Sequence, residues 1–136
     1  MTYSEARDKI LAPFYDYWKT TGYQAIWEDV VLDRPISEDV WARVSIKHMS
    51  ANQASLGCGN DKRRYYRTGQ LNIQIFAPVN DGNVQLYDVV QEVVNRYQAA
   101  RFPDLWFRHI SILEVRPDGA FQQMNVSAIF SYDDIR

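Results

Sequence analysis

Residues 71–100 read LNIQIFAPVNDGNVQLYDVVQEVVNRYQAA, and the hydrophobic period changes partway along that run. Leu71, Ile73 and Ile75 alternate with Asn72, Gln74 and Phe76 as far as Pro78, the two-residue repeat of a strand with one buried face. Asn80-Asp81-Gly82 then supplies turn chemistry. From Asn83 to about Ala100 the apolar residues Leu86, Val89, Val90, Val93, Val94 and Tyr97 form one stripe at helical spacing, opposite Gln85, Asp88, Gln91, Glu92 and Asn95. A strand that feeds directly into an amphipathic helix calls for a sheet on which that helix packs.

The chain beyond this run extends the same reading. After Pro103, Leu105–Val115 and Phe121–Tyr132 read as two strands joined by the hairpin signal Arg116-Pro117-Asp118-Gly119. The last strand puts Met124, Val126, Ala128, Phe130 and Tyr132 on one face and Gln123, Asn125, Ser127 and Ser131 on the other. On the N-terminal side, Val40, Ala42, Val44, Ile46 and His48 alternate with Trp41, Arg43, Ser45 and Lys47, the clearest strand pattern in the chain. Tyr23–Leu32 is rich in β-branched and aromatic residues and ends at Asp33-Arg34-Pro35, which predicts an earlier strand. Thr2 and Glu5 have capping-box spacing, and Ala6, Ile10, Phe14, Tyr17 and Trp18 recur every three or four residues, predicting a helix over 3–19. Pro13 is expected to kink or break it.

The order helix, three strands, helix, two strands predicts an α+β fold: a largely antiparallel or mixed sheet of about five strands packed by two helices. With 136 residues, 46% of them hydrophobic, the chain is long enough to bury a core as a single domain without disulfides or metals. An aromatic content of 14% argues against disorder. No apolar run approaches the roughly 18–20 residues that span a bilayer, and MTYSEARDKI lacks the basic and apolar regions of a signal peptide. A soluble intracellular protein with no membrane partner is therefore expected. With 15 Lys+Arg against 17 Asp+Glu the formal charge is −2, so contact with a polyanion would have to come from a local patch.

Catalytic signatures are sparse. The sequence has no glycine-rich phosphate loop, Gly-x-Ser-x-Gly elbow, paired-histidine metal helix or Cys-x-x-Cys. The lone Cys58 cannot form an internal disulfide or a zinc site by itself. Cys58 with His48 is the nearest approach to a nucleophile and base, and a loop cysteine beside a strand-end histidine is the plainer reading. His109 reads as a strand residue with no evident partner. Glu28-Asp29 and Asp133-Asp134 are neighbours in strands, where adjacent side chains diverge, so neither pair reads as a general acid and base. No catalytic residue, metal or cofactor is assigned.

The informative segment is 49–69, MSANQASLGCGNDKRRYYRTG, which breaks the alternation with small polar residues, close glycines and clustered positive charge. It predicts an extended loop or hairpin arm, and long excursions of this kind are commonly functional. Lys62, Arg63, Arg64 and Arg67 interleave with Tyr65 and Tyr66, the residue types of interface anchors. The same ingredients serve nucleic-acid contact, with cations for phosphates and aromatic faces for stacking.

Taken in order, Trp27-Glu28-Asp29-Val30, Trp41-Ala42-Arg43-Val44, Gln53-Ala54-Ser55-Leu56-Gly57, Arg63-Arg64 with Gly69, the strand Leu71–Pro78 and the closing strands through Phe130-Ser131-Tyr132 resemble the tail terminator (tail completion) family of long-tailed bacteriophages. The resemblance runs over nearly the whole chain and rests on the ordered set rather than on one motif. It departs from the family pattern in the longer Cys58–Lys62 link, in Tyr65-Tyr66-Arg67 before Gly69, and in the single Gly82 of the turn. The resemblance implies a non-enzymatic structural viral protein of the virion tail and neck, present in the host cytoplasm during assembly. Such a protein forms a homo-oligomeric, hexameric ring on the tail tube, stops tube polymerisation and offers a joining surface to the head-neck connector proteins. The interface candidates are Gln53, Leu56, Lys62, Arg63, Arg64, Tyr65, Tyr66 and Arg67 of the arm, with Asn80 and Asp81 of the turn; some of the arginines could instead meet DNA in the channel. Another head-tail joining neck protein, or a nucleic-acid-binding module using the basic arm, is the alternative reading.

Overall fold

The computed structural model describes residues 2–27, 40–53, 64–78, 84–118 and 121–135. They form α1 (Tyr3–Thr21), β1 (Gln24–Trp27), β2 (Trp41–Gln53), β3 (Arg64–Pro78), α2 (Val84–Ala99), β4 (Leu105–Asp118) and β5 (Phe121–Ile135). The strands make one mixed sheet in the order β1-β2-β3-β5-β4, in which β1 runs parallel to β2 and the other neighbours are antiparallel. The expected α+β architecture is thus present. β4 runs in the same direction as β3 with β5 inserted between them, so α2 carries the chain across the face of the sheet from one to the other.

One face of the sheet carries both helices. Val40, Ala42 and Val44 of the β2 segment, Leu71, Ile73 and Ile75 of β3, and Met124, Val126 and Phe130 of β5 are buried there against Ala6, Ile10, Phe14 and Trp18 of α1 and Leu86, Val90, Val93 and Tyr97 of α2. The alternation read from sequence accounts for every one of these strand positions. At one end the opposite face is apolar as well. Trp41, placed by the alternation on the polar side, is 1% exposed because its indole stacks on its cross-strand neighbour Phe76 at 4.1 Å, with Arg43 over the ring. Stacked aromatic neighbours of this kind stabilise a sheet as cross-strand pairs.

α1 begins with the predicted capping box: Thr2 Oγ1 accepts from the Glu5 amide and the Glu5 carboxylate accepts from the Thr2 amide. It ends at Gly22, whose φ of 76° is the left-handed cap that glycine adopts without strain. The expected break at Pro13 does not occur, and α1 continues to Thr21. The bond that Pro13 cannot make is the one from its own nitrogen to the Lys9 carbonyl. At the next pair along, the Tyr97 hydroxyl of α2 ties this turn to the second helix, donating to the Ile10 carbonyl at 2.7 Å and accepting from the Phe14 amide. Burial holds this phenol far above its ordinary range, so it remains a neutral donor and acceptor.

The strands are longer than the helices can cover. Fifteen residues of β3 extend about 50 Å, whereas the nineteen of α1 span about 28 Å. The surplus at one end is a stem in which Ser50–Gln53 of β2 pair with Tyr65–Thr68 of β3, and Ser131–Ile135 of β5 lie along the other side of β3 as a third strand. The hairpin-arm form of the 49–69 expectation therefore describes its two ends, while 54–63 lie outside the described residues. The lost periodicity has a local cause, a register shift between His48 and Ser50 that leaves Met49 without a partner across the ladder. The expected strand Tyr23–Leu32 is present as Gln24–Trp27; its later residues, the 33–35 turn, Cys58 and the 80–82 turn are outside the described residues.

Two substitutions test this packing. Replacing Tyr97 with Phe removes a buried hydroxyl's bonds to Ile10 and Phe14, at an expected cost of about 1–3 kcal/mol in urea unfolding. Unchanged stability would show that this tie between the helices contributes nothing net to the fold. At Gly69 an added Cβ would lie 2.4 Å from the Lys47 carbonyl and 2.3 Å from the Phe130 ring. Gly69→Ala should therefore cost about 1–3 kcal/mol, whereas a neutral change would mean that β2 and β5 separate easily at this point.

A candidate functional site at the base of the arm

The side chains that meet where the stem leaves the helical layer come from four elements. His48 is the last regular residue of β2 before its bulge; Gly69 opposes it on β3, and the Phe130 ring lies over that glycine. One row further out, Arg67 of β3 is the cross-strand partner of Tyr132 of β5, on the same helix-side face. Tyr3, in the first turn of α1, closes the cluster from above.

Its contacts are specific. His48 Nε2 and the Tyr132 hydroxyl are 2.8 Å apart. The His48 ring meets Tyr3, Phe130 and Tyr132 edge-on at centroid distances of 4.8, 5.3 and 5.8 Å. Arg67 donates to the Tyr3 hydroxyl and lies over the Tyr3 ring at 4.4 Å, and only 7% of the residue is exposed. Burial, and then the Arg67 guanidinium, hold the His48 imidazole below its ordinary pKa, so His48 is neutral at pH 7.

This arrangement separates the residues singled out from sequence. Arg67, one of the arm cations expected to reach a neighbour, is turned inward onto Tyr3 of its own chain. Tyr66 is half-buried on the central strand of the stem, between Asn52 and Asp133. Gln53, Arg64 and Tyr65 occupy paired backbone positions of the stem. Leu56, Lys62, Arg63, Asn80 and Asp81 lie outside the described residues. His48 therefore has structural partners at the stem base. His109 sits elsewhere, at a bulge in β4 between Arg108 and Ser111, with a φ of 52° that non-glycine residues seldom adopt. Asp133 and Asp134 oppose Tyr66 and Tyr65 in successive register positions.

Sequence reasoning missed Tyr3 and Tyr132 as members of the cluster. Tyr132 was legible only as a core position at the end of an alternating run, and Tyr3 only as the first residue of a helix. Their meeting depends on where α1 lands on the sheet, which no local pattern encodes. Among the described residues no group of three or more His, Cys, Asp or Glu side chains could hold a metal, and no helix is long and apolar enough to cross a membrane.

Comparison with known proteins bears on the fold alone. No protein-family model matches the sequence, and no curated protein matches it. Solved structures do share the architecture. One, a protein whose name carries no function, is 19% identical, covers 97% of this chain and 96% of its own, and superposes with a TM-score of 0.62. The chain is similar to that protein over almost its entire length, so the two-helix, five-strand arrangement is a shared fold rather than a peculiarity of this sequence.

The His48 environment predicts a pH dependence of defined sign. Because the folded protein holds this imidazole below the roughly 6.5 of an unfolded chain, the unfolded state takes up the proton first. The contribution of His48 is complete above about pH 6.5 and is lost as the pH falls through that value toward the folded pKa. Urea midpoints measured between pH 8 and pH 5 should fall more steeply for the wild type than for His48→Gln. Parallel curves would contradict this account of the site.

Proposed function

We propose that this chain is a structural virion protein, a tail terminator that forms a ring on the end of a phage tail tube, halts tube growth and presents a joining face to the neck. The observation that carries the reading is the ordered resemblance from Trp27-Glu28-Asp29-Val30 to Phe130-Ser131-Tyr132, spread over nearly the whole chain rather than gathered at one motif. The stem supports it physically. A protein that caps a polymer needs one surface for its ring neighbours and others for the layers below and above it, and heterologous side-to-side contacts close such a ring by rotation. Strands running beyond the helical layer provide a reach of that kind at little cost in core stability, because the Arg67–Tyr3 and His48–Tyr132 contacts anchor the base of the stem. The basic and aromatic residues beyond that base, Lys62, Arg63, Arg64 and Tyr65, are the side chains that would meet a neighbouring subunit.

The experiment is an attachment assay with a chain in which residues 54–63 are replaced by a two-residue turn. Stem pairing from Gln53 to Tyr65 remains possible, so the variant should fold with unchanged circular dichroism and lose its association with purified tail tubes. Retained association at wild-type level would remove the arm from the tube contact and count against the reading. Binding of the intact chain to bare DNA, weakening steeply with salt while tube association is absent, would favour the nucleic-acid module instead.

A further inference from the structure

Both helices pack on one face of the sheet, against Val44, Ile73 and Val126, so the residues that alternate with these point the other way, where no described helix covers them. The register lines them up in rows across four strands. A central row runs Ser45, Asn72, Ser127 and Ser111. It is flanked by Lys47, Gln70, Ile129 and Arg108 on one side and by Arg43, Gln74, Asn125 and Leu113 on the other. Charge in these rows has one sign. Arg43, Lys47 and Arg108 are exposed, and none of them makes an ion pair among the described residues. No carboxylate stands in the three rows. Glu114, next along β4, lies on the helix side opposite Met124 and accepts from the Tyr87 hydroxyl, and the first acid met along β5 on the open face is Asp133, out in the stem. In a chain with 17 acidic residues and a formal charge of −2, this is a local patch of the opposite sign.

The polar groups between the cations are left as donors. Gln70 Nε2 donates to Asn72 Oδ1 at 3.4 Å and Gln123 Nε2 to Asn125 Oδ1 at 2.8 Å, so both asparagine NH2 groups keep their protons for another acceptor. The Ser111 and Ser127 hydroxyls are 2.9 Å apart; one donates to the other, and the second proton remains.

We propose that this open face binds the phosphodiester backbone of a nucleic acid, with Arg43, Lys47 and Arg108 opposite phosphates and Asn72 and Asn125 donating to phosphate oxygens between them. Arg, Lys, Asn, Gln and Ser are the side chains that hold phosphates. Lys and Ser are depleted at protein–protein interfaces, so the composition favours a nucleic acid over an acidic protein. The spacing selects an extended polyanion rather than one small ion. Lys47 and Arg108 are three strand spacings apart, about 14 Å, and Arg43 is four residues from Lys47 along β2, about 13 Å. Trp106, at the margin beside Ser131, is an exposed ring on which an unpaired base can stack. This surface is distinct from the arm cations Lys62, Arg63 and Arg64, and the inference does not rest on the ring reading, because it concerns one protomer and a soluble probe.

The test follows the side-chain amide signals of the isotope-labelled full chain by NMR at low salt, during titration with a short DNA duplex, with oligothymidine and with polyglutamate of matched charge. Saturable shifts of the Asn72 and Asn125 amides with both nucleic acids, and weaker binding of polyglutamate, are the expected result. Equal affinity for duplex and single strand identifies the backbone alone as the ligand; tighter binding of the single strand that Trp106→Leu removes adds a stacked base. Lys47→Gln combined with Arg108→Gln should make the slope of log affinity against log salt for the duplex shallower by about 1.8, two phosphates at roughly 0.9 each. Ser111→Asp, which puts a carboxylate in the central row at an exposed position, should weaken binding while circular dichroism is unchanged. Arg63→Gln with Arg64→Gln should leave the Asn72 and Asn125 shifts in place. The proposal is overturned if polyglutamate binds as tightly and moves the same amides, which would make the face a surface for an acidic protein. It is equally overturned if the Lys47 and Arg108 variant keeps the wild-type slope, or if DNA moves only signals of the arm.

Discussion

The Tyr97 hydroxyl inside α1 is the interaction on which the rest of the structure depends. A helix of nineteen residues with a proline near its middle would ordinarily bend or end there, and its two halves would then meet the sheet independently. Tyr97 bonds the Ile10 carbonyl and accepts from the Phe14 amide, so the turn that holds the proline is tied by a side chain to the neighbouring helix. The consequence reaches in two directions. Ahead of the proline, Ile10 and Ala6 stay on the core and carry Tyr3 to the base of the stem; beyond it, Phe14 stacks on Trp18 at 4.8 Å and Trp18 meets Tyr23 where the chain turns into β1. One phenol thus couples the two helices and fixes where both ends of α1 touch the sheet.

That placement is what turns a row of ordinary strand residues into a site. His48, Arg67 and Tyr132 lie on one face of three strands by simple alternation, and Tyr3 arrives above them to cover the buried Arg67. Arg67 illustrates the energetics. An arginine of which 7% is exposed needs compensation for its charge, which the Tyr3 ring face and hydroxyl help to provide. Gly69 completes the geometry by leaving room for the Phe130 ring over β3, so that His48 can close against it.

Much of the fold was legible in the chain because its elements obey two clean periods. The strand faces of Leu71–Ala77 and Met124–Tyr132, the stripe of α2, the capping box at Thr2 and the element order follow from alternation, helical spacing and turn chemistry. What escaped had non-local causes. Trp41 is buried on the side that alternation assigns to solvent because Phe76 faces it from the next strand. Pro13 does not end α1, and the turn around it is tied to α2 by a tyrosine eighty-four residues away in sequence. Of the ten interface candidates, Arg67 is turned inward, and its neighbours in the stem hold paired backbone positions. Charge clustering in sequence cannot distinguish a cation that anchors an arm from one that the arm presents.

The proposed tail-terminator role rests on the resemblance read from the sequence and on a stem that reaches past its own core. The most direct test of that proposal is electron microscopy of the particles made when the gene is silenced in the phage the proposal assigns it to. The account predicts filled heads beside tails that are overlong and unjoined. Fully normal, infectious particles with tails of regular length would contradict it.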